Sequence, residues 1–287
     1  MTSVAVSNST EASVEALEQR VATCDWYHTI ELPGGIVTPG FYDCRPVVDR
    51  LPWPSSLQGL RVLDVGTWDG FWAYELERRG AAEVVAIDVF DPARWDWPPY
   101  IDQGGRSEEH ERSLKKFAGG SRGFAVAAEA LGSRAQRQDV SVYELDPDVH
   151  GRYDFVFLGS LLLHLRDPVE ALRRVRSVCS GEVLISDVVE AIPSLLRPRT
   201  PIARLEGTDR PWWWQPNVAA LRRMVRSAGL EVVATNPLYL VPRGAGRPVG
   251  SLRRAWRQLL TTRGREELIF LARGTPHSAI RARPAGT

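Results

Sequence analysis

Two carboxylates and two glycines between residues 60 and 91 are the part of this chain best placed to do chemistry. The stretch reads LRVLDVGTWDGFWAYELERRGAAEVVAIDVFD. Asp64 stands two residues before Gly66, Gly70 closes the same short segment, and Asp88 follows a second apolar run. Gly66 would let the backbone pass close to a ligand, and Gly70 would let a helix pack tightly on the preceding strand. Asp88 could accept both hydroxyls of a ribose. A dinucleotide site would show G-x-G-x-x-G and hold a pyrophosphate at the helix start. Here the Asp64 carboxylate would repel a pyrophosphate, and it suits an ammonium group.

These residues need a strand, a turn, a helix and a second strand to position them. Leu60–Val65 predicts a short buried strand, Gly66–Gly70 a tight turn, Phe71–Arg79 a helix ended by Gly80, and Val84–Ile87 a second strand. Ala135–Tyr143 predicts a third strand, and Tyr153–Leu158, apolar at nearly every position, a fourth. Gly159–His164 would follow the C-terminal end of that strand, where open α/β sheets bind ligands. Asp167-Pro168 predicts a capped helix with Val169, Leu172, Val175 and Val178 inward. Glu182–Val189 predicts a fifth strand. Asn217 would cap a helix carrying Leu221, Met224, Val225 and Ala228, with Gly229 ending it. Leu230–Thr235 and Glu267–Ala272 predict two further strands.

The remaining segments read as a polar tail (1–12), a helix and aromatic loop (13–56), and a main domain over 57–275 with a terminal tail, 276–287. Insertions fall at 92–120, 192–216 and 243–265. Within 13–56, Ser13–Thr23 predicts a helix, Trp26-Tyr27-His28 begins an ordered loop beside glycines and prolines, and Cys44–Leu51 predicts a further helix. Arg112–Leu131 reads as a helix interrupted at Gly119-Gly120 and Gly123, and 252–260 as an amphipathic one.

Composition narrows the function classes. A hydrophobic fraction of 44% with 25% charged residues is ordinary for a globular chain of 287 residues. The net charge of +1 provides no global pull toward nucleic acid or membrane. Cys24, Cys44 and Cys179 lack paired spacing and a histidine cluster, so free thiols are expected, with no disulfide framework and no metal site. No apolar run reaches the ~20 residues of a membrane span and no signal-peptide core is present, so the expected location is cytoplasmic, with no membrane partner.

The turn Asp64–Gly70 with Asp88 resembles motif I of class I S-adenosylmethionine (SAM)-dependent methyltransferases. SAM carries an amino group and a sulfonium and has no phosphate. Trp26-Tyr27-His28, Thr38-Pro39-Gly40, Gly159–Pro168 and Trp214-Gln215-Pro216-Asn217 follow in an order similar to the family that includes the carboxy-SAM enzyme of the tRNA wobble uridine. The resemblance implies an α/β, Rossmann-like seven-stranded sheet with helices on both faces and an N-terminal lid, the strands 230–235 and 267–272 pairing antiparallel at the sheet edge. It implies SAM contacts from Asp64, Gly66, Thr67, Trp68, Gly70, Asp88, Val89, Asp139, Val140 and Gly159. Two departures stand out. Trp68 occupies the place of a third motif I glycine. Leu163 occupies the place of a tyrosine that helps hold the extra carboxylate of carboxy-SAM, so ordinary SAM and a plain methyl group are expected.

His164, just past the fourth strand, is the first candidate for a general base, with a positioning role as its alternative; Glu190 is the second. Tyr27, His28, Trp95, Trp97, Trp213 and Trp214 are candidates for contact with the acceptor, by stacking or cation–π attraction, with simple packing as the alternative. The expected acceptor is a small apolar or aromatic molecule. tRNA is the alternative, gripped by Arg243, Arg247, Arg253, Arg254, Arg257, Arg263 and Arg265, and a catalytically silent partner protein is a second alternative. A second copy of the chain (a homodimer) is a further candidate partner.

Overall fold

The computed structural model describes residues 13–98, 111, 122–206, 212–247 and 274–286. Residues 13–22 are helical. A small antiparallel pair follows, β1 (Glu31–Leu32) with β2 (Ile36–Val37). The central strands are β3 (Arg61–Val65), β4 (Glu83–Asp88), β5 (Gln136–Asp139), β6 (Tyr153–Gly159) and β7 (Cys179–Val188). A hairpin of β8 (Ala203–Leu205) and β9 (Trp214–Pro216) precedes β10 (Leu230–Val241) and β11 (Thr275–Pro284).

Seven of these form one sheet in the order β10-β11-β7-β6-β3-β4-β5. β3, β4, β5, β6 and β7 pair in parallel, and β11 runs antiparallel to both of its neighbours. The chain winds outward from β3 through β4 to β5, then returns to place β6 on the other side of β3. The strand order therefore reverses between β3 and β6, and in open α/β sheets the ligand crevice lies at such a switch point, outside the C-terminal strand ends.

Alternation along the parallel strands builds two cores. Val62, Ala86, Phe155, Phe157 and Leu184 face a layer with Trp72, Leu76 and the N-terminal segment (Trp26, Tyr42). Leu63, Val65, Ile87, Val156, Leu158 and Ile185 face the helices Pro168–Val178 and Val218–Ser227 through Leu172, Val175, Leu221 and Val225. Each such side chain contributes about 1.5–3 kcal/mol when fully buried. The two helices begin at the predicted caps: Asp167 accepts the Glu170 N–H at 2.9 Å, and Asn217 accepts the Ala220 N–H at 2.9 Å.

Several expectations are corrected. The strand that pairs with β10 is Thr275–Pro284, so most of the expected tail is an interior strand of the sheet. Its small residues, Ser278, Ala279 and Ala282, are fully buried but carry little hydrophobic signal. The segment 267–272, expected to fill that place, lies outside the described residues, as do 1–12, most of 92–120 and the segment with Arg253 to Arg265. The third strand ends at Asp139, because Ser141 and Glu144 form a capping box that opens the 3-10 turn Val142–Glu144. β7 begins at Cys179, directly after the preceding helix, and 45–50 is a 3-10 helix. The insertion 192–216 is a short helix, Ala191–Leu196, followed by the β8–β9 hairpin. Among the described residues, no helix is long and apolar enough to cross a membrane.

Candidate active site

The turn after β3 is tied to the end of β4. The N–H groups of Gly66 and Thr67 donate to the Ile87 carbonyl at 2.9 and 3.1 Å. Asp88 accepts the Trp68 N–H at 2.7 Å on one carboxylate oxygen and the Val89 N–H at 2.8 Å on the other. Each oxygen keeps a further lone pair, which is what a ribose diol needs. Desolvation raises the Asp88 pKa, opposed by the Trp68 and Val89 N–H groups.

Backbone geometry explains the residue choice at this turn. Gly66 has φ +80°, and a Cβ there would lie 3.2 Å from a methyl of Leu161. At Gly70, with φ +89°, a Cβ would fall 2.4 Å from the Tyr74 phenol. Trp68 itself sits at φ 49°, in the left-handed region. The tryptophan thus holds the conformation that a glycine would adopt freely, at a cost of order 1 kcal/mol.

Asp64 is 1% exposed, and its pKa is pushed up to about 7, chiefly by burial. Its Oδ2 and the neighbouring Thr67 Oγ1 are buried with no regular hydrogen bond, although the Thr67 side chain lies close enough to lower the Asp64 pKa against the effect of burial. A buried carboxylate oxygen so placed can take a further donor. A cationic ammonium would supply it, and Asp88 keeps acceptor capacity for a diol, so the residues present fit SAM. Asp64 and Thr67 would hold its amino group, and Asp88 its ribose.

Asp69 was missed by sequence reasoning. It is fully buried; its Oδ2 accepts the N–H groups of Tyr27 and His28 at 2.8 and 2.7 Å, and its Oδ1 lies 2.6 Å from His28 Nδ1. His28 also stacks on Phe71, and its carbonyl accepts the Thr38 hydroxyl at 2.8 Å. His28, expected at the acceptor, is 5% exposed and turned to Asp69; it anchors the N-terminal segment on the turn. Tyr27 is half-buried beside Phe41 and Tyr42. The signal was available, since a carboxylate between Trp68 and Gly70 has no part in the glycine pattern.

On the far side of the β4 end, Asp139 accepts the Phe90 N–H and pairs with Arg94, both at 3.1 Å, and the Val140 N–H donates to the Asp88 carbonyl. Trp95 lies between Trp68 and Trp97, with ring centroids 5.9 and 5.6 Å away. Asp96, also missed, locks this loop to the opposite wall. It accepts the Tyr143 hydroxyl at 2.7 Å and the Arg166 N–H at 2.8 Å, while its carbonyl takes the Trp213 indole N–H at 2.6 Å. Trp214 donates its indole N–H to the Arg166 carbonyl. The structure thus joins Trp95, Trp97, Trp213 and Trp214 into one half-buried wall.

Across the crevice, Gly159 ends β6, and His164 ends the following turn, Leu162–His164, half-buried. Asp187 on β7 supports that turn by accepting the Leu162 N–H at 2.7 Å, and burial pushes its pKa up to about 7. Glu190 is 8% exposed and is engaged by Arg204 at 2.6 Å. Arg204 also contacts Glu206 and Gln215. Glu190 therefore ties the β8–β9 hairpin to the end of β7.

A doubly wound seven-stranded sheet with the acids Asp64 and Asp88 at its switch point has the fold of a class I SAM-dependent methyltransferase. A family model described as a methyltransferase domain matches residues 39–235, and the chain belongs to that family. Among curated proteins, the chain is similar to the tRNA U34 carboxymethyltransferase of Pseudomonas putida (strain W619). The two are 27% identical over 182 residues, covering 62% of this chain and 48% of the relative. The enzyme of the same description from Stutzerimonas stutzeri (strain A1501) is 26% identical over 233 residues, covering 72% of this chain and 63% of the relative. The chain thus spans about half to two thirds of the length of these relatives. A solved structure of 1,6-didemethyltoxoflavin-N1-methyltransferase from Burkholderia thailandensis aligns at 17% identity and a TM-score of 0.47, covering 79% of this chain and 72% of that one.

Proposed function

We propose that this chain moves a plain methyl group from SAM to a flat acceptor entering the crevice between β3 and β6. The observation that carries the donor half is the buried Asp64 Oδ2 beside Asp88. SAM when bound supplies an electrophilic methyl on a sulfonium. The protein's residues hold the donor, exclude water and align the acceptor, which is most of what an in-line displacement requires. The reading of a plain methyl rests on Leu163, which is 4% exposed and offers no hydrogen bond to a donor carboxylate.

Two acceptors have support. The curated relatives, both named for tRNA U34, favour tRNA over the small apolar molecule expected from the sequence. The wall of Trp95, Trp97, Trp213 and Trp214 supports a flat ring, which a nucleobase and a small aromatic share. Incubation with methyl-labelled SAM against separate pools of unmodified tRNA and small-molecule extract decides between them. Label is expected in the tRNA pool; label confined to the extract would reverse the order. Labelled carboxy-SAM used in preference to SAM would overturn the plain-methyl reading.

A further inference from the structure

Among the described residues, two non-glycine positions have positive φ, Trp68 at 49° and Ser160 at 51°. They flank the same crevice, one following β3 and the other following β6. Strain of this kind, of order 1–3 kcal/mol, persists where surrounding contacts fix it, and it clusters at functional sites. Trp68 is explained by the donor turn. Ser160 has had no role so far.

Ser160 is half-buried, and its N–H donates to the Ser186 carbonyl at 2.8 Å. Leu161, the next residue, lies against Gly66, which brings this turn up to the donor turn. The Ser160 hydroxyl lies 3.0 Å from Nε2 of His277, a residue of β11. His277 is 2% exposed, and its Nδ1 lies 2.9 Å from the Thr275 carbonyl. A carbonyl only accepts, so Nδ1 carries the ring proton and Nε2 of the neutral ring is an acceptor. The Ser160 hydroxyl must then donate to Nε2. Burial pushes the His277 pKa down to about 4, so the ring stays neutral and this polarity holds at physiological pH. With its single proton committed inward, the Ser160 oxygen can only accept on its open side.

We propose that Ser160, oriented by His277, accepts a hydrogen bond from the atom that is methylated, so that the acceptor presents an O–H or N–H there. This rests on the methyltransferase reading and adds the chemical class of the methylated group. Ser160 touches the acceptor; His277 is a positioning residue. The nucleophile's lone pair would bond to the methyl carbon as the S–CH3 bond breaks, its electron pair staying on the sulfur of the departing S-adenosylhomocysteine. The O–H or N–H proton stays on the nucleophile during transfer and is then lost to water, with Ser160 taking none of it. The donated hydrogen fixes the nucleophile so that its lone pair faces the methyl carbon.

The test combines variants with a measurement on the unmodified chain. Ser160→Ala should lower kcat/KM for the labelled pool about tenfold, while SAM affinity by calorimetry stays within about twofold. His277→Phe should share the loss, and His277→Gln, which keeps an acceptor, should recover part of it. Transfer by Ser160→Ala at the parental rate would overturn the proposal. Nitrogen NMR of the free wild-type protein should show His277 protonated at Nδ1. A proton on Nε2 would overturn the proposal even if the variants fail to fold. The ring measurement needs no acceptor, so failure to label either pool would count against the acceptor reading and leave this one to stand or fall separately.

Discussion

The two halves of the crevice are built by different means. On the β3–β4 side the functional groups belong to one contiguous run, Asp64 to Asp88, tied together by backbone hydrogen bonds between adjacent strands. On the β6–β7–β11 side, Ser160 meets a histidine 117 residues away, and Glu190 meets Arg204 of an inserted hairpin. The donor is a fixed molecule, and a local motif suffices to hold it. The β6–β7–β11 side, where the proposed acceptor would enter, is assembled from distant segments, so it can change without disturbing the turn after β3.

The largest effect that could break this contrast is expected at Asp69. Asp69→Ala would strand the N–H groups of Tyr27 and His28 and the His28 ring, at a cost of about 4 kcal/mol in total. Thermal unfolding and limited proteolysis should show a lower Tm and cleavage near residues 13–45. An unchanged profile would mean that the N-terminal segment is held elsewhere.

Asp88→Ala comes next. It removes the acceptor for the ribose and leaves the Trp68 N–H unpaired, so SAM affinity should fall by about 1–3 kcal/mol. Calorimetry showing parental affinity would sink the ribose assignment.

A pH series sharpens the comparison further, because each half carries one buried acid, Asp64 or Asp187, with its pKa raised to about 7. Both ionise near 4 in the unfolded chain, so the folded state binds protons more tightly between about 4 and 7. Their contribution to stability is full below about pH 4 and is lost as pH rises to about 7. Asp64→Asn should flatten part of that decline in chemical-denaturation curves. SAM affinity should move the opposite way, rising with pH toward about 7 as Asp64 ionises to meet the ammonium, and Asp64→Asn should abolish that rise.

Glu190→Gln should have the smallest effect. Arg204 is about one-third exposed, so loss of the charge should cost about 1 kcal/mol of stability and leave SAM affinity unchanged. If methyl transfer ceased while SAM still bound, Glu190 would be the general base that its place in the sequence suggested.

The donor half was legible because its signal is local. Branched apolar runs, glycine spacing and the acids at 64 and 88 needed only neighbouring residues to be understood, and the helix caps at Asp167 and Asn217 follow the same logic. The roles of Asp69 and Asp96 were not legible because their partners, Tyr27 and His28 for the one and Tyr143 and Arg166 for the other, lie far along the chain. β11 was misplaced because Ser278, Ala279 and Ala282 are interior through small size, with little hydrophobicity to mark them.

By itself the sequence determined the strand–turn–helix–strand unit and the acids placed at its turn, since periodicity and short-range sterics act along the chain. The seven-stranded sheet followed from the family resemblance. Only the tertiary structure decided that His28 meets Asp69, that Glu190 pairs with Arg204, and that Ser160 meets His277. Such pairings depend on which strand ends become neighbours, and no spacing in the sequence encodes a contact closed through space.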